Sequence, residues 1–369
     1  MTKITDIPAI RFKGFSDTWE QRKLGDVVDV RSGKDYKHLS EGNIPVYGTG
    51  GFMLNVNQAL SYDEDAIGIG RKGTIDKPYI LKAPFWTVDT LFYAIPREKV
   101  DLNFAFDVFQ NIDWKKKDES TGVPSLSKTA INEIDVLVPQ YDEQQPLGQF
   151  FNRIDNLITL HQRKYDKLTN VKKSMLEKMF PQNGSNVPEI RFKGFTEAWE
   201  QRKVREVTDR YDNLRIPVAA SLRVAGTTPY YGANGIQDYV DGYTHDGEFI
   251  LVAEDGANDL KNYPVKCVKG RIWVNNHAHV LQGKYDCADN QFLAYAISQA
   301  DIESLLVGGG RAKLNAETLM GIDLLLPNKA EQIRIGKYLA QLDNLITLHQ
   351  RELEKLKNLK KACLEKMFV

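Results

Sequence analysis

The chain contains one sequence twice, separated by about half its length. Residues 8–27 and 188–207 are identical at 13 of 20 positions, and residues 155–163 return unchanged as 343–351. Nine identical residues in a row do not arise by chance in a chain of 369 residues. An offset of 180 to 188 residues is far too long for a solenoid repeat and has the size of a whole domain. The duplication therefore predicts two domain-sized copies of one fold.

The two copies agree at their ends and differ in between. Six residues near the end of the first copy return 188 positions later: Gly122, Leu126, Ile134, Asp135, Leu137 and Pro139. Residues 30–120 and 210–308 are largely dissimilar, apart from a Pro-x-Tyr-Gly turn at 45–48 and at 229–232. Shared ends with different middles indicate one scaffold that presents two different surfaces.

Each shared end predicts a long helix with one narrow apolar seam. Large residues recur at alternating spacings of four and three, which is the pattern of a coiled coil. Towards the end of the second helix the seam drifts to Leu359, Cys363 and Met367. A lone helix must bury such a seam, so we expect the two helices to pack antiparallel around a pseudo-twofold axis. The histidines at two seam positions suit polar core residues, with a pH switch or a ligand role as the alternative. The expected core of the helix pair is Ile154, Ile158, His161, Leu168, Leu342, Ile346, His349 and Leu356.

The divergent middles are typical of compact mixed domains. Short β-like runs, among them 265–268 and 271–274, alternate with Gly- and Asn-rich turns. A few helical stretches, including 301–306, lie between them. The expected fold is α+β, with two tandem mixed α/β domains separated by two long antiparallel coiled-coil helices. The expected division of the chain is a first domain over 1–142, a helix over 143–182, a second domain over 183–330 and a second helix over 331–369.

Composition excludes several classes of protein. The longest apolar runs are far shorter than a membrane span, and the first residues form no apolar signal core. Three scattered cysteines form no disulfide framework. We therefore expect a cytoplasmic protein without a membrane partner. Lys and Arg balance Asp and Glu at 49 each, which argues against a simple basic nucleic-acid binder.

Motifs for catalysis mostly fail. Gly68–Gly73 matches GxGxxG, but Pro78 follows too soon for the helix that a dinucleotide site needs. We expect a tight, basic loop tip at Arg71 and Lys72 instead. No Walker A segment is present. His277, His279, Cys267 and Cys287 contain no CxxC knuckle for zinc. We therefore expect no catalytic residue and no metal site.

Side chains suited to contacting DNA remain in the divergent middles. Arg matches guanine edges and Asn matches adenine edges, while glycines beside basic residues let the backbone approach phosphate. The lysine triplet at 115–117 also suits an ordinary solvated surface. The expected DNA-binding residues are Arg71, Lys72, Thr74, Lys115, Lys116, Lys117, Ser125 and Lys128 in the first copy, and Asn258, Lys261, Asn275, Asn276, His277, Arg311 and Lys313 in the second.

The layout resembles the specificity subunit of type I restriction-modification enzymes. The resemblance covers essentially the whole chain and is carried by three duplicated features: IRFKGF…W…EQRK at 10–23 and 190–203, G-x3-L-x7-I-D-x-L-x-P at 122–139 and 310–327, and IDNLITLHQR or LDNLITLHQR at 154–163 and 342–351. It implies that each middle is a target-recognition domain that reads one half of a bipartite site in double-stranded DNA. It also implies that the helices set the spacing between half-sites.

The resemblance further implies partners that carry the chemistry. Two modification subunits would dock on the shared parts and methylate adenine with S-adenosylmethionine, and restriction subunits would add ATP- and magnesium-dependent translocation and cleavage. This chain would then be a non-catalytic subunit without a cofactor of its own. Because residues 1–142 and 181–330 each carry three more acidic than basic side chains, we expect the isolated chain to bind DNA weakly.

Two other readings stay open at this point. The divergent middles could bind other proteins, which would make the chain a helical scaffold without a DNA target. An enzyme is the third reading, and activity of the purified chain with S-adenosylmethionine or ATP alone would support it.

Overall fold

The computed structural model describes residues 7–182, 184–308 and 312–368. The chain divides into two compact units. Unit 1 comprises Met1–Arg163 and Gln350–Val369, and unit 2 comprises Lys164–His349. Each unit therefore contains one divergent middle, the beginning of one long helix and the end of the other.

The first copy contributes nine strands and four helices in the described residues. The strands are β1 Glu20–Lys23, β2 Val28–Ser32, β3 Ile44–Gly48, β4 Gly51–Val56, β5 Ala66–Gly70, β6 Tyr79–Leu81, β7 Trp86–Thr87, β8 Leu91–Pro96 and β9 Asp135–Val138. The helices are α1 Leu24–Val27, α2 Leu102–Asn111, α3 Lys128–Asn132 and α4 Tyr141–Met179, with a 3-10 turn at Trp114–Lys117.

The second copy contributes eight strands and four helices in the described residues. The strands are β10 Glu200–Lys203, β11 Thr208–Arg210, β12 Ala225–Gly232, β13 Gly235–Val240, β14 His245–Ala253, β15 Val265–Val274, β16 Ala278–Gly283 and β17 Asp323–Leu326. The helices are α5 Val204–Val207, α6 Asn290–Ser298, α7 Ala316–Gly321 and α8 Lys329–Met367, with 3-10 turns at Asp212–Leu214, Ala220–Leu222 and Glu303–Leu305.

The sheets of the two units follow the same pairing scheme. In unit 1, four strands pair in the order β2-β8-β5-β6 and three in the order β4-β3-β7. In unit 2, six strands form one sheet in the order β11-β16-β14-β15-β12-β13. The shared ends add one antiparallel pair to each unit, β1 with β9 and β10 with β17. The mixed fold expected from the sequence is thus confirmed, and the β1 and β10 strands were not expected.

A buried ion pair fixes the start of each long helix. The Arg11 guanidinium contacts the Glu143 carboxylate at 2.5 and 2.6 Å, and Arg191 contacts Glu331 at 2.7 Å through both of its nitrogen donors. Such bidentate pairs combine charge with defined geometry. The repeated IRFKGF segments are therefore held on the helices by the same interaction in both units.

An aromatic cluster closes each unit at the far end of a long helix. In unit 1, Phe368 at the end of α8 contacts Trp19 and stacks on Phe104, with ring centroids 5.8 and 5.7 Å apart. In unit 2, Phe180 after α4 contacts Trp199 and Phe292 at 5.8 and 5.4 Å. The end of α8 therefore completes unit 1 as the end of α4 completes unit 2.

Within unit 1 the two long helices run antiparallel. Phe151 of α4 lies 5.7 Å from Phe368 of α8, ring centroid to centroid, and Asp155 one turn later contacts Lys360 at 2.5 Å. Unit 2 contains the equivalent ion pair, between Lys172 and Asp343 at 2.5 Å. The expected antiparallel arrangement of the two helices is confirmed within unit 1. Each helix has 39 residues and therefore a length of about 58 Å at 1.5 Å per residue.

Some local expectations were wrong. Val265–Val268 and Arg271–Val274, expected as two strands, form the single strand β15, which continues through Gly270 at a φ of +95°. The stretch 301–306, expected as a helix, contains only the 3-10 turn Glu303–Leu305. Leu359, expected on the drifting seam of α8, is 48% exposed, because the apolar stripe of a 3.6-residue helix moves away from a strict heptad.

Candidate nucleic-acid interface

We define rim 1 as the loops at the end of β5 in unit 1, residues 71–75, 88–90 and 119–128. The Arg71 amide donates to the Thr90 carbonyl at 2.8 Å, and the Leu126 amide donates to the Arg71 carbonyl at 2.9 Å. Lys72 pairs with Ser125 as an isolated β-bridge. Backbone hydrogen bonds thus bring three loops that are far apart in sequence to one edge of the sheet.

The glycines of rim 1 allow the chain to turn sharply after β5. A Cβ atom on Gly70 would lie 1.9 Å from the Thr74 carbonyl oxygen, and Gly73 has a φ of +96°. Neither place accepts a side chain without movement of the backbone. The GxGxxG match of the sequence is therefore a tight loop that presents Arg71 and Lys72, as expected.

Rim 1 surrounds an open, polar cleft of about 440 Å³. Arg71 and Lys72 are exposed beside it, and Thr74 is half-buried behind them. The Asp118 carboxylate accepts hydrogen bonds from the Ser125 and Ser120 amides, each at 2.9 Å, and these bonds lower the pKa of Asp118. The segment carrying Ser125 is thereby held in place at the mouth of the cleft.

The lysine triplet is exposed on the 3-10 turn Trp114–Lys117. Lys115 forms an ion pair with Asp76 at 3.0 Å and Lys116 with Asp113 at 3.0 Å. Surface pairs of this kind contribute little to stability, so both lysines can exchange their partner for a phosphate at small cost. Lys117 and Lys128 are also exposed.

We define rim 2 as the corresponding loops of unit 2, residues 232–235, 254–262, 275–277, 307–308 and 312–314. The Glu254 amide donates to the His277 carbonyl at 2.9 Å, and the Leu314 amide donates to the Glu254 carbonyl at 2.7 Å. Asp255 pairs with Lys313 as a β-bridge. These contacts reproduce those of rim 1 with different side chains.

A hairpin tip joins rim 2. Asn234, between β12 and β13, donates from its side chain to the Gly256 carbonyl at 2.9 Å and accepts from the Asn258 amide at 2.9 Å. Asn258 and Lys261 are exposed in the loop that this side chain holds. Sequence reasoning missed Asn234, although the Pro-x-Tyr-Gly turn directly before it pointed to this position.

A buried charge network lies under rim 2. Glu254 contacts Arg215 at 2.7 Å and Lys313 at 3.0 Å. Burial opposes ionisation of Glu254, but hydrogen bonds from Arg215 and Lys313 outweigh it and lower its pKa. The buried ring of His279 contacts Asp212 at 2.7 Å and the Leu314 carbonyl at 2.9 Å. The network fixes the base of rim 2, and Arg215 and Asp212 were not expected from the sequence.

The three expected contact residues of the 275–277 turn differ in their exposure to solvent. Asn275 is only 4% exposed, and its side-chain oxygen accepts from the His277 amide at 2.8 Å, so it shapes the turn. Asn276 is exposed, and His277 is half-buried with its Nδ1 2.5 Å from Asp255 Oδ1. Arg311 lies outside the described residues.

The residues expected in the core of the helix pair are buried to different degrees. Ile154 and Leu342 are buried, with 5% and 7% of their surface exposed. The other six are half-buried: Ile158, His161, Leu168, Ile346, His349 and Leu356. The seam is therefore most buried where each helix lies against a globular domain.

Residues 7–182, 184–308 and 312–368 contain no group of three or more His, Cys, Asp or Glu side chains arranged to hold a metal ion. Both ring nitrogens of His279 are occupied by protein partners. Burial raises the pKa of Cys267 to about 12, whereas a zinc ligand must be a thiolate. Among the same residues, no helix is long and apolar enough for a membrane span.

The chain thus contains two tandem domains of one fold, and each domain presents a rim of loops at the same edge of its sheet. The family model for the type I restriction modification DNA specificity domain matches residues 16–170 and again residues 196–358. The chain belongs to this family.

Individual relatives agree with the family match. A putative type I restriction enzyme specificity subunit of Haemophilus influenzae is 44% identical over 146 residues, which is 40% of this chain and 38% of that protein. The MjaVIII specificity subunit of Methanocaldococcus jannaschii is 22% identical, and the match covers 94% of this chain and 91% of that protein. A crystal structure of the S subunit of a type I restriction-modification system from M. genitalium has the same fold, with a TM-score of 0.79 at 13% identity and coverage of 98% and 99% of the two chains.

Proposed function

We propose that this chain gives a type I restriction-modification complex its DNA sequence specificity, with each unit reading one half of a bipartite site. The observation that carries the proposal is the construction of the two rims. Equivalent backbone hydrogen bonds assemble them, yet their side chains differ. Two readers with one backbone and different side chains suit two unlike half-sites. Loops on a rigid scaffold are a common place for recognition.

The long helices would set the distance between half-sites. Each helix begins in one unit and ends in the other, and a Gly- and Pro-free stretch extends over 149–180 and 337–369. A continuous helix transmits a fixed rise of about 1.5 Å per residue. A change in its length therefore changes the separation of the readers.

The chemistry would belong to partner subunits in the cytoplasm. In this proposal two modification subunits dock on the shared ends and methylate adenine with S-adenosylmethionine, and restriction subunits use ATP and magnesium. The chain itself contributes binding and no catalytic group. Exposed acidic side chains on both units make the isolated chain a weak DNA binder, because affinity for phosphate scales with local positive charge.

Mapping methylated adenines tests this function directly. A host without its own adenine methyltransferases would express the modification subunit with and without this chain. We expect methylation at one bipartite motif only when the chain is present. Methylation without the chain, or at sites that share no motif, would contradict the proposal.

A deletion tests the role of the helices separately. Removing four residues within Gln162–Lys173 shortens α4 by about one turn. We expect the methylated motif to keep both half-sites and to change its spacer length. A substitution of exposed Leu160 by Ala is the control and keeps the spacer. An unchanged spacer in the deletion variant would show that the helix does not set it.

A further inference from the structure

We propose that two β-hairpins, β3–β4 in unit 1 and β12–β13 in unit 2, read thymine by apolar contact with its 5-methyl group. Phe52 makes this contact in one half-site, and Ile236 makes it in the other. The 5-methyl group lies in the major groove, where apolar side chains contact it. The inference rests on the proposed function and names the chemical group that each hairpin recognises.

The two hairpins are built in the same way. Tyr47 pairs with Phe52 and Tyr231 pairs with Ile236, in each case in the second residue pair from the turn. The first strand of each hairpin has a register shift directly before this tyrosine. The second strands have the same succession of buried and exposed residues. Phe52 and Ile236 therefore occupy equivalent places in the two units.

Both side chains are apolar and yet project into solvent. Phe52 is 60% exposed and Ile236 is 44% exposed. Met53, the next residue after Phe52, is 47% exposed, and successive side chains of a strand point to opposite faces. Single exposed apolar residues are common on protein surfaces. Their recurrence at one place in two otherwise dissimilar sequences indicates a shared role.

Each hairpin is held against the rim of its own unit. In unit 1 the Val88 amide of rim 1 donates to the Tyr47 carbonyl at 3.0 Å, and the Tyr79 hydroxyl donates to the Gly48 carbonyl at 2.6 Å. In unit 2 the Asn234 side chain bonds the backbone at 256 and 258, both at 2.9 Å. The exposed apolar side chains are thus fixed beside the loops that carry the other expected contacts.

The surroundings of the unit 1 hairpin favour DNA as its ligand. The Arg71 guanidinium donates to the Asp89 carbonyl at 3.3 Å, directly after Val88. Arg71 and Lys72 are exposed and can contact phosphates, while the exposed acid Asp89 limits the net attraction. A two-stranded β-ribbon fits the major groove. The hairpin can therefore enter the groove while the basic loop contacts the backbone.

The place of Phe52 on the hairpin selects contact with base edges over insertion between bases. The turn itself consists of Thr49 and Gly50, whereas the side chains that unstack base steps are large and apolar. The Phe52 ring lies against Tyr47 in an edge-to-face arrangement, with centroids 6.3 Å apart, so it is supported along the side of the ribbon. In the major groove that side faces the base edges, where the thymine methyl group is presented.

The test uses the full chain assembled with its modification subunit, and duplexes that carry the motif found by methylation mapping. Each thymine of the motif is replaced in turn by uracil, which lacks only the 5-methyl group and keeps its base pair. Fluorescence anisotropy then gives the dissociation constants for the original chain, Phe52→Ala and Ile236→Ala.

Tyr62→Ala is the matched control. Tyr62 is an aromatic residue of unit 1 that is 63% exposed, but it lies before β5, whereas rim 1 follows β5. Circular dichroism and co-purification with the modification subunit verify that each variant folds and assembles. The uracil duplexes also test the original chain without any substitution in the protein.

We expect uracil at one position of each half-site to weaken binding by the original chain about fourfold, the effect of one methyl group that is no longer buried. Phe52→Ala should abolish the uracil effect in one half-site only, and Ile236→Ala should abolish it in the other half-site only. Tyr62→Ala should keep both effects.

Equal binding of all thymine and uracil duplexes by the original chain would overturn the inference while the proposed function stands. Uracil effects that persist in Phe52→Ala and Ile236→Ala would overturn it as well, because other residues would then contact the methyl groups. If the original chain directs no methylated motif, the proposed function itself fails.

Discussion

The two units build their middles from the same strand pairings but connect them differently. In unit 1, residues 82–85 separate β6 from β7, and the strands fall into two sheets. In unit 2, β15 is continuous over ten residues, pairing antiparallel with β14 and parallel with β12. Pro84 lies in the interruption, and proline has no N–H to donate to a ladder. A local change of residue type therefore divides one sheet into two without changing which strands are neighbours.

The two divergent middles contain equivalent contacts although their sequences are dissimilar. Val46 pairs in parallel with Trp86, and Tyr230 pairs in parallel with Trp273. Each tryptophan donates from Nε1 to a backbone carbonyl in the segment after β2 or β11, that of Lys34 or Ile216, both at 2.8 Å. The comparison teaches that the backbone scheme is constant in both middles, and that side chains on the rims are free to differ.

The largest expected effect tests whether the shared ends are equally important to both units. Arg11→Met leaves the Glu143 carboxylate, 2% exposed, without its partner, and Arg191→Met does the same to Glu331. Breaking a buried pair from one side costs about 4 kcal/mol. We expect each variant to lose this amount of unfolding free energy in urea titrations of the full chain.

The double variant Arg11→Met with Glu143→Leu sharpens that result. Replacing both partners by apolar residues removes the unpaired charge, so we expect most of the lost free energy to return. A loss below about 1 kcal/mol in either single variant would show that the ion pair does not hold the leading segment of that unit.

The next effect concerns the aromatic clusters. Phe180→Ala and Phe368→Ala each remove a ring that is at least 92% buried and leave a cavity beside a tryptophan. We expect a loss of about 3 kcal/mol in both variants, measured by the same urea titration. Leu160→Ala, on an exposed position of α4, is the control and should change the free energy by less than about 0.5 kcal/mol. Unequal losses at Phe180 and Phe368 would contradict the equivalence of the two helix ends.

A smaller effect distinguishes the two rims. Gly70 precedes Arg71, and Ala253 stands at the equivalent place before Glu254. Gly70→Ala places a Cβ 1.9 Å from the Thr74 carbonyl oxygen, so rim 1 must shift at a cost of about 2 kcal/mol. We expect the complex with Gly70→Ala to methylate its sites more weakly, because the shifted rim 1 reads the first half-site less well. Ala253→Gly should leave the methylated motif unchanged. Full activity of Gly70→Ala would show that the tight turn is not required for reading.

The smallest effect is a pH dependence that arises at Asp107 in unit 1. Burial raises the pKa of Asp107 well above its usual value; nearby Lys360 opposes this, while Asp155 and Asp101 add to it. The folded state then favours the neutral acid, so stability is lost as the pH rises from the unfolded pKa of about 4 through the higher folded value. We expect Asp107→Asn to remove this loss.

The measurement is the unfolding free energy of the original chain and of Asp107→Asn at a series of pH values from about 4 upward. The equivalent residue of unit 2 is Tyr295, which donates to Asp343 at 2.6 Å, so Tyr295→Phe should leave the pH dependence unchanged. An identical pH dependence of Asp107→Asn and the original chain would contradict the assignment.

The sequence predicted the parts of the fold that carry a period or a repeat. The helix expected over 143–182 is present as Tyr141–Met179, because a seam spaced by four and three residues has no other good solution. The hairpins β3–β4 and β12–β13 were missed, since their short, glycine-bounded strands lack a buried alternating pattern. The sequence predicts a break at 269–270 between two strands, yet glycine at positive φ can lie within a strand, as Gly270 does.

The candidate site was harder to predict than the fold. The loop after β5 was expected to present Arg71 and Lys72, because glycines beside basic residues are visible in the sequence. The neutralisation of Glu254 by Arg215 and Lys313 was not, because the three residues are 39 to 98 positions apart and only the sheet brings them together. Asn275 was expected as a contact residue and is placed inside the turn, since burial of a polar side chain depends on these long-range pairings.

An exchange of one middle tests the central claim most directly. Residues 30–120 would be replaced by the corresponding segment of another member of the family, with both shared ends kept, and methylated adenines would be mapped with the assembled complex. The account predicts that one half-site changes while the other half-site and the spacer remain the same. A change in both half-sites would contradict the claim that two independent readers share one duplicated framework.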